Sequence, residues 1–292
     1  MSKVEKAVIL AAGLGTRMLP ATKAVPKELF PIVDKPALQY IVEELVDSGI
    51  KHIMIIISRG KTLIEDHFDV SFELEQKLRD AGEKKKAILD EVERISNLAD
   101  IVYARQKHML GTGHALFSAR EFTGNDPFVV CYGDDVIIND DYPVTKQLID
   151  AYDKYEKGVA GVQAVTREQI QMYCTLKVDH IADNHYDLTD MIEKPKPEEI
   201  MSLYSMLGRM VLPAEIYEIL DHTPLHNGEI YLTDAMKELS QTKGMIAVDF
   251  IGKRYDMGNK LGVMQAQVER ALKHKEIGED FKAYLKEFVK TL

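Results

Sequence analysis

An α/β fold with a doubly wound, mostly parallel sheet is predicted by three features of the sequence. The runs Ala7-Val8-Ile9-Leu10, Ile53-Met54-Ile55-Ile56-Ile57 and Phe128-Val129-Val130-Cys131-Tyr132 are apolar without alternation, as expected of strands buried on both faces. Helical patterns separate such runs over most of the chain, the order that builds parallel crossovers. Two of the runs end in Gly- or Asp-rich loops, at the carboxyl edge where open α/β sheets bind ligands.

The first strand leads into Ala11-Ala12-Gly13-Leu14-Gly15-Thr16-Arg17 and on to Lys23, Pro26, Lys27 and Glu28. Gly13 and Gly15 let the backbone turn sharply and bring its N–H groups against a polyphosphate, while Arg17, Lys23 and Lys27 add positive charge. The loop suits a nucleoside triphosphate, although Gly-x-Gly alone also fits a plain strand-to-helix turn. It is not a Walker A loop, which needs Gly-Lys-Ser/Thr, nor a dinucleotide fingerprint, whose third Gly is here Arg17.

Leu38, Ile41, Val42, Leu45 and Val46 then recur at helical spacing, closed by Gly49, and residues 52–58 form the second strand of a right-handed crossover. Residues 73–95 read as charged, exposed helices that include Lys84-Lys85-Lys86, and residues 101–104 as a third strand. Gly111-Thr112-Gly113 opens a helix, and the strand at 128–132 ends at Gly133-Asp134-Asp135. A helix over 144–157 and a strand over 159–165 follow. Beyond residue 167 hairpin strands are expected near 174–178 and 188–193, with further strands at 207–212 and 247–251. Leu261, Met264, Val268 and Leu272, then Phe281, Leu285 and Phe288, are spaced for terminal helices that either pack on the body or meet another subunit.

At 292 residues, 46% hydrophobic and 29% charged, the chain is long enough to bury a large core, and no linker divides it. A formal charge of −10 argues against nucleic acid as a partner, and no run reaches the ~20 apolar residues of a membrane helix. Cys131 and Cys174 make neither a disulfide framework nor a metal cluster and read as reduced thiols; with no signal-peptide pattern, a cytoplasmic location is expected.

Asp134 and Asp256 both follow apolar strands, so their carboxylates are placed to converge on one Mg²⁺ shared with a triphosphate. Glu193-Lys194-Pro195 reads either as an exposed ion pair before a turn or as a site for sugar hydroxyls and a phosphate. Gln106 offers a donor and an acceptor, suited to a uracil or thymine edge or to water.

Together these residues resemble the bacterial UTP–glucose-1-phosphate uridylyltransferases. The likeness runs through Ala11 to Arg17, Pro20-Ala21-Thr22-Lys23, Pro26-Lys27-Glu28, Glu65-Asp66-His67-Phe68, Gly133-Asp134-Asp135, Glu193-Lys194-Pro195, Gly228-Glu229-Ile230, Leu232-Thr233-Asp234-Ala235 and Lys253-Arg254-Tyr255-Asp256. It implies a three-layer α/β/α nucleotidyltransferase fold, Rossmann-like, with a mixed, mostly parallel sheet and C-terminal helices. Residues 1–166 would form a nucleotide half and 167–257 a sugar-phosphate half, ahead of helices over 258–292, in one domain. The implied reaction joins UTP and glucose 1-phosphate into UDP-glucose and pyrophosphate.

The resemblance also implies roles. The loop from Ala12 through Gly13 and Gly15 to Arg17 wraps the nucleotide, Lys27 meets phosphate, Gln106 reads uracil and Gly111 lies by the base. Asp134 and Asp256 hold Mg²⁺, while Glu193 and Lys194 take the sugar hydroxyls and phosphate. Arg17, Lys27 and Lys194 neutralise charge during transfer. Ala11, Glu28 and Asp135 belong to the same motifs and are expected at the substrates. Cys174 stands where such sequences carry Gly and is expected to face the sugar. Thr112, Tyr231 and Ser202-Leu203-Tyr204-Ser205 also depart from the pattern. Another hexose 1-phosphate, dTTP, or a nucleotide-binding regulator without turnover are the alternatives. A homo-oligomer, dimer or tetramer, is expected.

Overall fold

The computed structural model describes residues 3–292. The apolar runs become the strands β1 (Lys6–Leu10), β4 (His52–Ile57), β5 (Asp100–Arg105) and β6 (Phe128–Tyr132), with a small hairpin of β2 (Pro31–Ile32) and β3 (Lys35–Pro36) between the first two. The second half adds β7 (Asp135–Ile138), β8 (Gly158–Ala164), β9 (Cys174–Ala182), β10 (His185–Glu193), β11 (Tyr204–Leu212), β12 (Met245–Asp249) and β13 (Lys253–Asp256). Nine of these form one sheet in the order β5-β4-β1-β6-β11-β8-β12-β10-β9. Strands β4, β5 and β6 lie parallel within the β1 group, as does β12 with β8, whereas β11 and β10 run against their neighbours. The expected mixed, mostly parallel sheet is therefore the sheet observed.

Both faces of this sheet are covered. The helices are α1 (Ala37–Asp47), α2 (Thr62–Phe68), α3 (Phe72–Asp80), α4 (Lys86–Ser96), α5 (Gly111–Phe117), α6 (Arg120–Thr123), α7 (Val144–Tyr155), α8 (Arg167–Ile170), α9 (Ile216–Leu220), α10 (Leu232–Thr242), α11 (Lys260–Lys273) and α12 (Gly278–Val289). Strand alternation divides the core in two. Ala7, Ile9, Ile53, Ile55 and Ile57 pack with Leu38, Ile41, Leu45 and Leu148 from α1 and α7. Val8, Ile56, Phe128 and Val130 pack with Leu116, Ile216, Ala235 and Leu239 from α5, α9 and α10. This is the three-layer arrangement, and it explains why those strands are apolar at every position.

Two features differ from the sequence expectation. Strands β7 and β13 pair antiparallel as a separate sheet, which sets Asp256 opposite Asp135. Asp256 is thus carried by this short ribbon and not directly by the end of β12, as expected from the apolar run at 247–251. The terminal helices form, but differently: α11 buries Gly262, Ala266 and Ala271, while α12 packs on α11 and leaves Tyr284 and Phe288 exposed in a stacked row with Phe281.

Candidate functional site

β1 and β6 are adjacent and parallel, so the glycine loop and Gly133-Asp134-Asp135 leave the sheet side by side, joined by the Gly133 N–H donating to the Leu10 carbonyl at 3.0 Å. They floor a cleft of about 370 Å³. The structure brings Ala12, Gly13, Arg17, Lys27 and Glu28 to one wall, Gln106 and Gly111 to a side, Asp134, Asp135 and Asp256 to the floor, and Glu193 and Lys194 to the far wall.

Lys27 stands over the loop: a Cβ placed on Gly13 would lie 3.8 Å from its Nζ. Its ammonium pairs with the Asp134 carboxylate. Burial opposes the lysine's charge, but Asp134 outweighs it and the net shift is upward, so Lys27 is a fixed cation at neutral pH. Gly15 does not line the cleft; it shapes the loop at φ +65°, with its carbonyl accepting from the Thr22 hydroxyl at 2.8 Å.

Asp134 and Asp256 converge, and Gly258 marks where. A Cβ on Gly258 would lie 2.7 Å from Asp134 Oδ2 and 3.1 Å from Asp256 Oδ1, so a side chain would fill the space between the carboxylates. The Gly258 N–H donates to Asp256 Oδ1 at 2.9 Å, and the Tyr173 hydroxyl donates to Asp256 Oδ2 at 3.0 Å. Two carboxylates facing an open cleft are a donor set that fits Mg²⁺, which takes few protein oxygens and completes its shell with water and phosphate. Among the described residues no cluster of three or more His, Cys, Asp or Glu forms a closed metal cage.

Gln106 is buried, its amide N–H₂ donating to the Gly111 carbonyl at 3.1 Å. Gly111 has φ +89°, and a Cβ there would meet the Ile230 carbonyl at 2.6 Å, so only glycine lets this wall close against residues 229–230. Thr112, one of the departures, ties this turn to α10, where its hydroxyl accepts the Leu232 N–H at 3.2 Å.

On the far wall the Thr233 hydroxyl donates to Glu193 Oε2 at 3.2 Å. Burial pushes the Glu193 carboxyl up to about 7, against the pull of Lys194. Lys194 adopts φ +46°, its N–H donating to the Tyr173 carbonyl at 2.6 Å, and its Nζ lies 5.4 Å from the centre of the Tyr231 ring. Tyr231 in turn stacks on His226.

Cys174 and Ala11 do not line the cleft, while Glu28 and Asp135 line it with their carboxylates already paired. Cys174 does not face the sugar wall: it is 2% exposed, packed beneath the cleft, with its N–H donating to Ser205 Oγ at 3.3 Å. Its neighbour Tyr173 lines the cleft instead, and burial lifts the Cys174 thiol to about 11 and the Cys131 thiol to about 12, leaving both protonated. Ala11 is wholly buried and offers only its carbonyl, taken by Lys61 Nζ at 2.5 Å. The Glu28 carboxylate turns inward to Lys61, 2.8 Å from both oxygens. The Asp135 carboxylate is held by Arg254, at 2.7 Å from Nε and 2.6 Å from the terminal nitrogen, so it braces the floor.

Arg254, Tyr231 and Thr233 line the cleft without a role having been expected of them from the sequence, Tyr173 lines it beside the expected Cys174, and Lys61 stands behind its loop. Lys61 follows β4, which neighbours β1, so the sheet-edge logic that points to the glycine loop also points to it. Tyr173, Arg254 and Thr233 each adjoin or belong to a motif already noted.

A family model described as nucleotidyl transferase matches residues 6–271. The UTP–glucose-1-phosphate uridylyltransferase YngB of Bacillus subtilis is 47% identical over 289 residues, spanning 99% of this chain and 96% of that protein. A UDP-glucose pyrophosphorylase solved with UDP-glucose superposes with a TM-score of 0.85 at 37% identity, over 93% of this chain and all of that one. A UTP-bound UGPase from Acinetobacter baumannii gives 0.87 at 33% identity, over 97% and 99% of the two chains. The chain belongs to the nucleotidyl transferase family and, within it, to the UTP–glucose-1-phosphate uridylyltransferases.

Proposed function

We propose that this protein transfers the uridylyl group of UTP to glucose 1-phosphate, with Mg²⁺ as cofactor, releasing UDP-glucose and pyrophosphate by direct in-line displacement. The observation that carries the proposal is a single cleft with Lys27, Asp134 and Asp256 on one side and Glu193 and Lys194 on the other. The names of the similar proteins support UTP and glucose 1-phosphate as the pair.

Asp134 and Asp256 would hold the metal, which supplies positive charge to the triphosphate oxygens. Lys27 and Arg17 neutralise the same phosphates from the loop side, and Gln106 presents Oε1 to the N–H of the base. Lys194 meets the sugar phosphate while Glu193 accepts from hydroxyls of the ring. The sugar phosphate has a second pKa near ~6, so its oxygen is already a nucleophile at neutral pH and no general base is required. That oxygen bonds to the α-phosphorus as the bond to the bridging oxygen breaks and pyrophosphate leaves opposite; the chain's contribution is alignment and charge. Residues 1–166 serve the nucleotide and residues 167–257 the sugar phosphate.

A panel of UTP, dTTP, ATP and GTP against glucose, galactose and N-acetylglucosamine 1-phosphates, read by pyrophosphate release with Mg²⁺, tests this. UTP with glucose 1-phosphate is expected to be fastest. Preference for dTTP would overturn the base, preference for another sugar the acceptor, and UTP binding without turnover the activity.

A homo-oligomer, dimer or tetramer, is supported by the exposed Tyr284 and Phe288 on α12. Light scattering checks it. A cytoplasmic location is supported by two unpaired, buried thiols. No helix among the described residues is long and apolar enough to cross a membrane. The acidic surface, at a net charge of −10, disfavours nucleic acid as a partner.

A further inference from the structure

Behind the glycine loop two buried charges meet at one nitrogen. Lys61 is 6% exposed and Glu28 1%. The Lys61 ammonium donates to the Ala11 carbonyl at 2.5 Å and to both Glu28 oxygens at 2.8 Å. Three segments distant in sequence are thereby tied together: the exit of β1, the turn carrying Lys27 and Glu28, and the loop after β4. Lys61 does not itself line the cleft.

A buried ion pair is weak as a source of net stability, because desolvating two charges cancels most of their attraction. Burial works against both here, raising Glu28 and lowering Lys61, with each partner offsetting the other's shift. Apolar side chains of similar volume often replace such a pair with little loss of stability. What they could not do is fix a carbonyl and a carboxylate at defined distances from one point. The carbonyl is two residues before Gly13, and the carboxylate is on the residue next to Lys27, whose ammonium lies over Gly13.

We propose that Lys61 is a positioning residue: through the Ala11 carbonyl and Glu28 it sets the height of the glycine loop and the reach of Lys27 over the nucleotide phosphates. The proposal rests on the nucleotide site described above and concerns one of its two substrates only. A misplacement on the order of 1 Å in such a loop costs about 10²-fold in rate, so a specific kinetic split is expected.

Lys61→Met alone strands Glu28 as a buried charge and is expected to fold poorly. The double variant Lys61→Met/Glu28→Gln removes both charges and keeps the shape. It should show the wild-type circular dichroism, with KM for UTP raised about tenfold, kcat lowered about tenfold, and KM for glucose 1-phosphate within about twofold. Lys61→Arg keeps the charge but its wider head pushes Ala11 and Glu28 apart. It should give the same split at about threefold, and it carries the decision if the double variant does not fold. Wild-type constants for UTP in the folded variant, or equal losses for both substrates, overturn the proposal. If the wild-type protein prefers another nucleotide, the proposed base assignment fails, yet the split is still read with that nucleotide.

Discussion

The two walls of the cleft are built on different terms. On the nucleotide wall almost every charge is already paired: Lys27 with Asp134, Glu28 with Lys61, Asp135 with Arg254. On the sugar wall Glu193 has one hydroxyl partner, and Lys194 makes no ion pair among the described residues and rests over an aromatic ring. The difference lies in the partners supplied and not in depth alone, since burial raises the Glu193 carboxyl too and only Lys194 is exposed. A substrate at the first wall must replace existing contacts in a fixed frame. At the second it meets groups that have few partners to give up.

The sharpest way to break this contrast is to remove the floor of the first wall. Asp134→Ala or Asp256→Ala should lower kcat by about 10³-fold, by analogy with the loss of preorganised charge stabilisation at other active sites, with an unchanged circular dichroism spectrum. Pyrophosphate release measures it, and a loss below about tenfold would remove these carboxylates from the metal. Next in size, Gly258→Ala should cost about 10²-fold in kcat. Its Cβ would stand 2.7 Å from Asp134 Oδ2, in the space between the two carboxylates. Raising Mg²⁺ should recover part of that loss in the Gly258 variant and none in the aspartate variants.

How much of this contrast is legible in the sequence depends on how each residue is held. The glycine loop and Asp134 are readable because the uniformly apolar runs before them fix which sheet edge they occupy. The convergence of Asp256 is readable as chemistry but not as structure, since β13 and its partner β7 are four-residue strands with mixed polarity and no clear period. Lys61 looks like any lysine in Ser58-Arg59-Gly60-Lys61; only the approach of Ala11 and Glu28 buries it. Cys174 is expected at the sugar because it stands where the resembled sequences carry Gly. Tyr173 precedes β9 and lines the cleft, whereas Cys174 begins the strand and is buried with Thr175 and Leu176. Covalent neighbours share a motif; side-chain direction is set by the element.

The second wall should respond to pH nearer neutrality than the first, where burial raises the Asp135 carboxyl only to about 6. Glu193 titrates near 7 when folded and near 4.5 when unfolded, because burial disfavours its charge. Its ionisation therefore costs stability as pH rises from about 4.5 through 7, while its acceptor capacity for sugar hydroxyls is complete only above 7. KM for glucose 1-phosphate should rise about tenfold from about pH 8 to about pH 6, and in Glu193→Gln only the smaller change from the phosphate itself, near ~6, should remain. KM for UTP is expected to change by less than KM for glucose 1-phosphate, and equally in the wild type and in Glu193→Gln. A wild-type profile identical to that of Glu193→Gln would mean that the Glu193 carboxyl does not accept from the sugar.

The smallest effect concerns Tyr231, on the sugar wall. Its ring lies under the Lys194 ammonium and against His226, so it limits where an otherwise unpaired, exposed lysine can point. A cation over an aromatic face at an exposed site contributes about 0.5–1 kcal/mol, which corresponds to a few-fold in binding. Tyr231→Leu should therefore raise KM for glucose 1-phosphate about threefold with kcat for saturating substrate nearly unchanged, and Tyr231→Phe, which keeps the ring, should restore it. Equal behaviour of the Leu and Phe variants would mean that the ring does not steer Lys194. Lys194 would then be positioned by its backbone alone, through the φ of +46° and the short hydrogen bond to Tyr173. In that case the sugar wall, like the nucleotide wall, is set by the frame behind it and not by contacts between its side chains.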